Sequence, residues 1–169
     1  MPLVRPPGIP SASAAAADEL RRIVRALAVS SLAVEKATGL SGAQAFVLRT
    51  LLLHGDATPS ELAARTLTDA SSVTGVVGKL LDKALVARRR DPEDGRRVVL
   101  SLRAKGRALA RRTPVPVQER LVAAVAELRA EDARALARSL RAIVAAMGAA
   151  DRAPTLFFEE PAATRGRRP

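Results

Sequence analysis

The groups in this sequence that could act on a partner are positive charges concentrated in one quarter of the chain. Between Ser71 and Arg112 there are twelve lysines and arginines against four acidic residues, a local net charge of +8 within a total of +11. A basic stretch of this kind matches a polyanion, chiefly nucleic acid. Charge alone fits a solvated face equally well. The predicted elements that carry these residues are therefore needed to distinguish a nucleic-acid-binding surface from a solvated face.

The residue types needed by most catalytic and metal sites are missing from the sequence. There is no Cys, and His54 is the single His. Thiolate chemistry is excluded, and a histidine-based metal site is disfavoured. We find no carboxylates clustered in a plausible pocket and no glycine-rich phosphate loop. Aromatic residues make up 2% of the chain, too few for a base-stacking platform. We expect no enzyme activity, no cofactor and no metal.

The distribution of charge also argues against a membrane protein. The longest charge-free runs, 6–17 and 37–48, are 12 residues each, short of the roughly 18 needed to span a bilayer. The N-terminal residues lack the apolar stretch of a secretory signal. We expect a soluble, cytoplasmic protein.

Helical periodicity and start signals predict four helices in the first half of the chain. Apolar residues at helical spacing predict a helix over 14–37. A capping box at Ser41-Gly-Ala-Gln44 begins a second helix that is apolar on nearly all sides, as a central helix is. Thr58-Pro-Ser-Glu61 begins a short helix over 59–66. After a tight turn, a helix over 70–84 carries one apolar stripe, formed by Val73, Val76, Val77, Leu80, Leu81 and Ala84. The last two helices form a helix-turn-helix pattern.

A β-hairpin with a charged tip follows this pair. Val86–Arg90 and Arg96–Leu102 are separated by a turn containing Pro92 and an Asp-Gly pair. In the second strand Val98, Leu100 and Leu102 alternate with Arg97, Val99 and Ser101, which predicts one buried face. Helical pattern resumes near Ala104, is broken at Pro114 and Pro116, and ends in a helix over 131–148. The predicted fold is mainly α, a winged helix-turn-helix flanked by helices.

The apolar stripes of the flanking helices predict a dimer. The helices at 14–37, 116–128 and 131–148 carry more apolar surface than the small lobe between them can cover. We divide the chain into an arm, a dimerisation helix, a winged helix-turn-helix domain, C-terminal dimerisation helices and a tail: 1–12, 13–39, 40–112, 113–150 and 151–169. A monomeric helical bundle is the alternative.

Several segments spread over about 40–148 resemble the MarR family of multiple-antibiotic-resistance-type transcriptional regulators. They are Leu40-Ser-Gly-Ala-Gln44, Pro59-Ser-Glu-Leu-Ala63, Ser71-Ser-Val-Thr74, Leu80-Leu-Asp-Lys-Ala-Leu-Val86, Asp91-Pro-Glu-Asp94 with Arg96, and Lys105-Gly-Arg-Ala-Leu109. The resemblance implies a homodimer with interlocked terminal helices that regulates transcription, usually by repression. It also implies release from DNA by a small aromatic or anionic effector.

Duplex DNA is the predicted partner, through a pseudo-palindromic site. The face of helix 70–84 opposite its stripe is expected to enter the major groove, presenting Ser71, Ser72, Thr74, Gly75, Lys79 and Lys83. Arg96 at the hairpin tip is expected to reach the minor groove, and the resemblance implies that Asp94 orients it. Phosphate contacts are assigned to Arg88, Arg89, Arg90 and Arg97.

Two features leave alternatives open. Gly75 stands where the family commonly has a large polar residue, often Arg, and Gly78 follows one turn later. An architectural or protein-interaction module with little sequence-specific readout is therefore a second interpretation. For the effector, the candidate lining residues are Phe46, His54 and Met147, which can equally be a core residue, a favourable cation at a helix end and packing filler.

Overall fold

The computed structural model describes residues 11–91, 94–151 and 155–157, and its element order confirms the predicted winged helix-turn-helix. Each helix begins and ends within three residues of its predicted limits. The elements are α1 (Ser11–Thr38), α2 (Gly42–His54), α3 (Pro59–Arg65), α4 (Ala70–Asp82), β1 (Val86–Arg90), β2 (Val98–Leu102), α5 (Ala104–Arg112), α6 (Val117–Ala126) and α7 (Ala130–Ala146). Helix α1 begins inside the predicted arm 1–12, whose first ten residues lie outside the described part. Most of the predicted tail 151–169 also lies outside it.

Two helix starts follow from the caps that the sequence encodes, although one cap is only half made. At α3 the Thr58 hydroxyl accepts the Glu61 N–H at 3.2 Å, and the Glu61 carboxylate accepts the Thr58 N–H at 2.7 Å. At α2 the Ser41 hydroxyl accepts the Gln44 N–H. The return bond from Gln44 was predicted and is absent, since its buried Oε1 has no partner among the described residues.

Helix α2 is the centre of the hydrophobic core, as its all-round apolar sequence predicts. Seven consecutive residues, 42–48, are buried. The stripe of α4 packs into the same core through Val73, Val76, Val77 and Leu80. Leu81 is only half-buried, and the predicted stripe was wrong at Ala84, which is exposed beyond the end of α4 with φ +55°. Close to the C-terminus, Leu156 also lies in the core at 3% exposure.

The hairpin pairs Val86 with Leu102 at its base and Arg90 with Val98 near its tip. Ala57, before α3, adds an isolated bridge to Leu100, with N–H to carbonyl distances of 3.1 and 2.8 Å. The predicted alternation was wrong at two positions, because Val98 is 44% exposed and Val99 is buried. Both faces of the hairpin are covered near its base, whereas its tip extends beyond the core.

The break predicted at Pro114 and Pro116 is confirmed, since it separates α5 from α6. Helix α5 lies directly against the start of β1. A Cβ added to Gly106 would lie 2.0 Å from the Leu85 carbonyl oxygen, which also accepts the Arg103 N–H at 3.0 Å. Only a residue without a side chain fits at this crossing.

The terminal helices are attached to the central lobe through α6. A half-buried ion pair joins Arg49 of α2 to Glu119, with one Nε–H to carboxylate bond of 2.8 Å. The Val117 N–H donates to the Ser30 hydroxyl of α1 at 2.9 Å. Helix α7 buries none of its residues, and α1 buries only Leu27 and Val34.

We expect Gly106→Ala to lower the free energy of unfolding by about 1–3 kcal/mol or more, because overpacking against backbone cannot be relieved by a side-chain rotation. Gly78→Ala is the matched control. Nothing lies within 4 Å of an added Cβ there, so a better helix former should raise the free energy by up to about 1 kcal/mol. Urea unfolding followed by circular dichroism measures both. Equal effects would contradict the close crossing of α5 and β1.

Candidate nucleic-acid interface

The N-terminus of α4 is organised by Asp69, which sequence reasoning placed only in the preceding turn. Its carboxylate accepts the N–H groups of Ser71 and Ser72, both at 2.9 Å, and the Ser72 hydroxyl at 2.8 Å. It also accepts the Ser71 hydroxyl. These bonds, the Ser71 hydroxyl above all, hold the pKa of Asp69 well below its usual range. The carboxylate therefore stays ionised at the start of the helix.

The exposed face of α4 is narrower than predicted. Ser71, Thr74 and Gly75 are exposed, and Lys79 is partly exposed. Ser72 is 7% exposed, so the prediction that it lies on this face was wrong. One helical turn separates it from Val76, and residues four apart share a helix face. The face is thus limited mainly to small side chains near its N-terminus.

Lys83, the last residue predicted on this face, follows the end of α4 as its C-cap. Its ammonium donates to the Gly39 carbonyl oxygen at 2.9 Å. In this arrangement the side chain links α4 to the end of α1. A contact with DNA would require that bond to be exchanged.

The hairpin tip holds Arg96 on a turn shaped by Asp94. The Asp94 carboxylate accepts the Arg96 N–H at 3.0 Å, and its carbonyl oxygen accepts the Arg97 N–H at 2.9 Å. Asp94 therefore acts on the backbone of Arg96 rather than on its guanidinium. Arg96 is exposed, and within 11–91, 94–151 and 155–157 no carboxylate forms an ion pair with it.

The four arginines of the hairpin that were predicted to contact phosphates divide into two kinds. Arg89 forms an ion pair with Asp56, and Arg97 forms one with Glu61 at 2.8 Å. Arg88 and Arg90 are exposed and have no ion-pair partner in the part of the chain that the structure describes. Two positive charges are therefore already neutralised by carboxylates of this protein.

Asp56 and Glu61 were missed as members of this surface. They lie 33 and 36 residues before their arginine partners, so no local spacing signals the pairs. Glu61 has two tasks, since it also caps α3. The Thr58 N–H holds the pKa of Glu61 below its ordinary value, assisted by the Thr58 hydroxyl and the Arg97 guanidinium.

The three predicted effector-lining residues are not brought into one environment. Phe46 is buried in the core, His54 is exposed at the end of α2, and Met147 is 74% exposed beyond α7. Phe46 and His54 are separated by about 12 Å along the helix axis. A cleft of about 400 Å³ has other walls: the turn 66–69, Gln118 and Val122 of α6, and residues 155–157.

The described residues contain neither a metal-binding cluster nor a membrane-spanning helix. No three or more His, Asp or Glu side chains among them are grouped so that they could hold a metal ion. None of the helices in this part of the chain combines the length and the apolar character that a bilayer requires.

Comparison with known proteins places the winged-helix segment in one family. Residues 38–97 match the model of the MarR family. The HTH-type transcriptional repressor MdtR of Bacillus subtilis (strain 168) is 40% identical over 68 residues, which are 40% of this chain and 44% of that protein. The match thus spans less than half of the curated relative.

Solved structures extend the similarity over most of the described chain. BpsR of Bordetella bronchiseptica, whose DNA binding is described as regulated by 6-hydroxynicotinic acid, is 26% identical, with 76% of this chain and 97% of that chain covered and a TM-score of 0.51. The reduced form of MarR from E. coli is 20% identical, with coverages of 80% and 97% and a TM-score of 0.53. The second comparison supports the fold alone.

We expect Asp69→Asn to be less stable than the parent protein at neutral pH. Because folding lowers the pKa of Asp69, its ionised carboxylate stabilises the fold fully above the ordinary value of 3.8, and this contribution is lost as the pH falls further. The two urea midpoints should therefore converge in acid. Asp82→Asn is the control. Asp82 is the last residue of α4, where a negative charge is unfavourable to the helix dipole, so its removal should not lower the stability. A difference that persists at low pH would contradict this account.

Proposed function

We propose that the chain is a homodimeric, cytoplasmic repressor of the MarR family of winged-helix transcriptional regulators and that it binds duplex DNA. The observation that carries the proposal is the arrangement of α4 and the hairpin. The uncovered N-terminal edge of α4 lies opposite the stripe that packs on α2, and the chain continues directly into a hairpin whose tip carries the exposed Arg96, which forms no ion pair with any described carboxylate. A helix and a flanking wing of this kind fit adjacent grooves of one duplex.

In the proposed complex α4 lies in the major groove and the hairpin lies along the neighbouring minor groove. Arg96 enters the minor groove, where negative potential attracts a guanidinium. Arg88 and Arg90 contact phosphates without reading sequence. Arg89 and Arg97 make such contacts only by exchanging Asp56 and Glu61 for phosphate oxygens.

The second copy of the chain covers the terminal helices. Helix α7 exposes an apolar stripe of Leu136, Leu140, Ile143, Val144 and Met147, while α1 exposes Val24 at 63% and Leu32 at 67%. Stripes of this extent are typical of surfaces that bind another protein. A twofold dimer would place two copies of α4 about 34–36 Å apart, which requires a pseudo-palindromic site.

Release by a small aromatic or anionic effector is the regulatory part of the proposal. It is supported by BpsR, whose DNA binding is described as regulated by 6-hydroxynicotinic acid, an aromatic acid. Of the three candidate residues, His54 and Met147 are accessible, whereas Phe46 is enclosed by the core. An effector acts by favouring one spacing of the two α4 helices over another.

A second candidate function is a winged-helix architectural or interaction module. Gly75 and Gly78 favour it, since they leave two positions of α4 without a side chain. Competition binding separates the two functions: a repressor binds its own promoter region about 10³-fold or more tightly than random DNA, and the module scarcely discriminates.

We expect Arg96→Ala to weaken DNA binding by about 1–3 kcal/mol, roughly 5- to 150-fold, and to leave the unfolding midpoint unchanged. Arg141→Ala, which removes the same charge from α7, is the control. Fluorescence anisotropy with labelled promoter DNA measures both. Unchanged affinity for Arg96→Ala would refute the minor-groove contact.

The ion pairs predict different effects for neighbouring arginines. Arg88→Ala should reduce the slope of log affinity against log salt by about 1, and Arg89→Ala should reduce it by less, because Asp56 already neutralises that charge. Asp56→Asn should raise the affinity by freeing Arg89. Glu127→Gln is the control for net charge, and weaker binding by Asp56→Asn would contradict the competition.

Leu140→Glu should convert the dimer to a folded monomer, because it places a charge on the stripe of α7 while no α7 residue contributes to the core. Arg138→Glu, on the other side of the same helix, should leave the dimer intact. Sedimentation velocity gives the mass of each. A parent protein that sediments as a monomer would overturn the dimer proposal.

A further inference from the structure

We propose that the N-terminal part of α4 reads the major groove through hydrogen-bond acceptors and one methyl group. It would then select base amino groups, on adenine N6 and cytosine N4, and the methyl group of thymine, and it would ignore the acceptors of guanine. The inference rests on the proposed function and specifies what its recognition helix can read.

The hydroxyl protons on this face are already committed. The Ser71 hydroxyl contacts the Asp69 carboxylate, and the Thr74 hydroxyl lies 2.7 Å from the Ala70 carbonyl oxygen. Carboxylates and carbonyls have no proton to give, so both hydroxyls must act as donors in these bonds. What each oxygen can still offer to the groove is its lone pairs. Those lone pairs accept hydrogen bonds from amino groups and form no hydrogen bond with the N7 and O6 acceptors of guanine.

The backbone donors at the helix start are committed as well. The Ser71 and Ser72 N–H groups donate to the Asp69 carboxylate, and the Val73 N–H is 3.3 Å from the Asp69 carbonyl oxygen. A phosphate or a guanine oxygen would have to displace an ionised carboxylate, and hydrogen bonds to a charged acceptor are about twice as strong as neutral ones. The N–H groups at the start of α4 are therefore not readily available to an incoming acceptor.

The other residues of this part of α4 do not supply the missing donors. Ser72 is buried and donates to Asp69, and Gly75 and Gly78 have no side chains. The helix sequence ASSVTGVVGKLLD contains no Arg, Asn or Gln, the residues that form bidentate contacts with guanine or adenine. Lys79 lies in the last turn of α4, away from the N-terminal residues that contact bases in this motif. Thr74 adds a methyl group that can contact thymine.

Specificity in this arrangement depends mainly on the wing. Single acceptor contacts discriminate less than bidentate ones, so Arg96 at a narrow A·T minor groove contributes the larger preference. The favoured DNA site is then A·T-rich in the tract that the wing contacts. In the tract that α4 contacts, guanine can be replaced by its analogues without loss of binding.

The test begins by selecting binding sites for the full-length protein from a random duplex pool. In the selected site, 7-deazaguanine replaces guanine beneath α4, removing N7 alone. We expect less than a twofold change in Kd. Uracil for thymine there removes the methyl group and should weaken binding at least threefold. In the wing tract, 2,6-diaminopurine for adenine adds a minor-groove amino group and should weaken binding at least tenfold.

Gly75→Arg supplies the positive control within the same protein. It adds a guanidinium to the exposed face of α4, so sites selected with this variant should gain a guanine in each half-site, and 7-deazaguanine at that position should then weaken binding at least tenfold. Such a loss with the parent protein would overturn the inference, as would selected sites without any sequence preference. Failure to bind any duplex would instead refute the proposed function itself.

Discussion

The burial of the valine face of α4 against α2 is the constraint on which the rest of the molecule depends. Val73, Val76, Val77 and Leu80 lie within the core, and this contact fixes the rotation of α4 about its own axis. Once that rotation is set, the N-terminal polar edge must face outward. The short turn after α4 then delivers the chain into β1, the first strand of the hairpin.

On this surface, negatively charged carboxylates offset part of the excess positive charge. The sequence carries a net +11, yet Asp56, Glu61 and Asp69 lie within the region proposed to meet a polyanion. Each makes specific bonds: Asp56 and Glu61 hold strand arginines, and Asp69 holds the start of α4. Acids in these positions order the surface before binding and lower its nonspecific attraction for phosphate. Among the described residues, the guanidinium groups of Arg88, Arg90 and Arg96 form no ion pair, and they can therefore dominate the encounter.

Local sequence signals predicted most of the fold, because each signal depends only on residues that lie about one helical turn apart in the chain. The Thr58 and Glu61 cap, the apolar stripe of α4 and the proline break after α5 all depend on neighbours a few residues away. Long-range geometry was not predictable in the same way. The pairing of Arg89 with Asp56, the burial of Ser72 and the return of Leu156 to the core depend on how separate elements meet. The sequence therefore predicted which elements form the candidate interface, while the state of individual donors required the structure.

The junction between α6 and the central lobe has a mechanical consequence. Glu119 ties α6 to α2, and Val117 ties it to α1, immediately after a linker stiffened by Pro114 and Pro116. Such a junction has little freedom to absorb torsion. A tilt of the terminal helices would be transmitted as rigid-body rotation of the central lobe, with the ion pair between Arg49 and Glu119 acting as the pivot. A displacement far from α4 would thereby change the angle of α4.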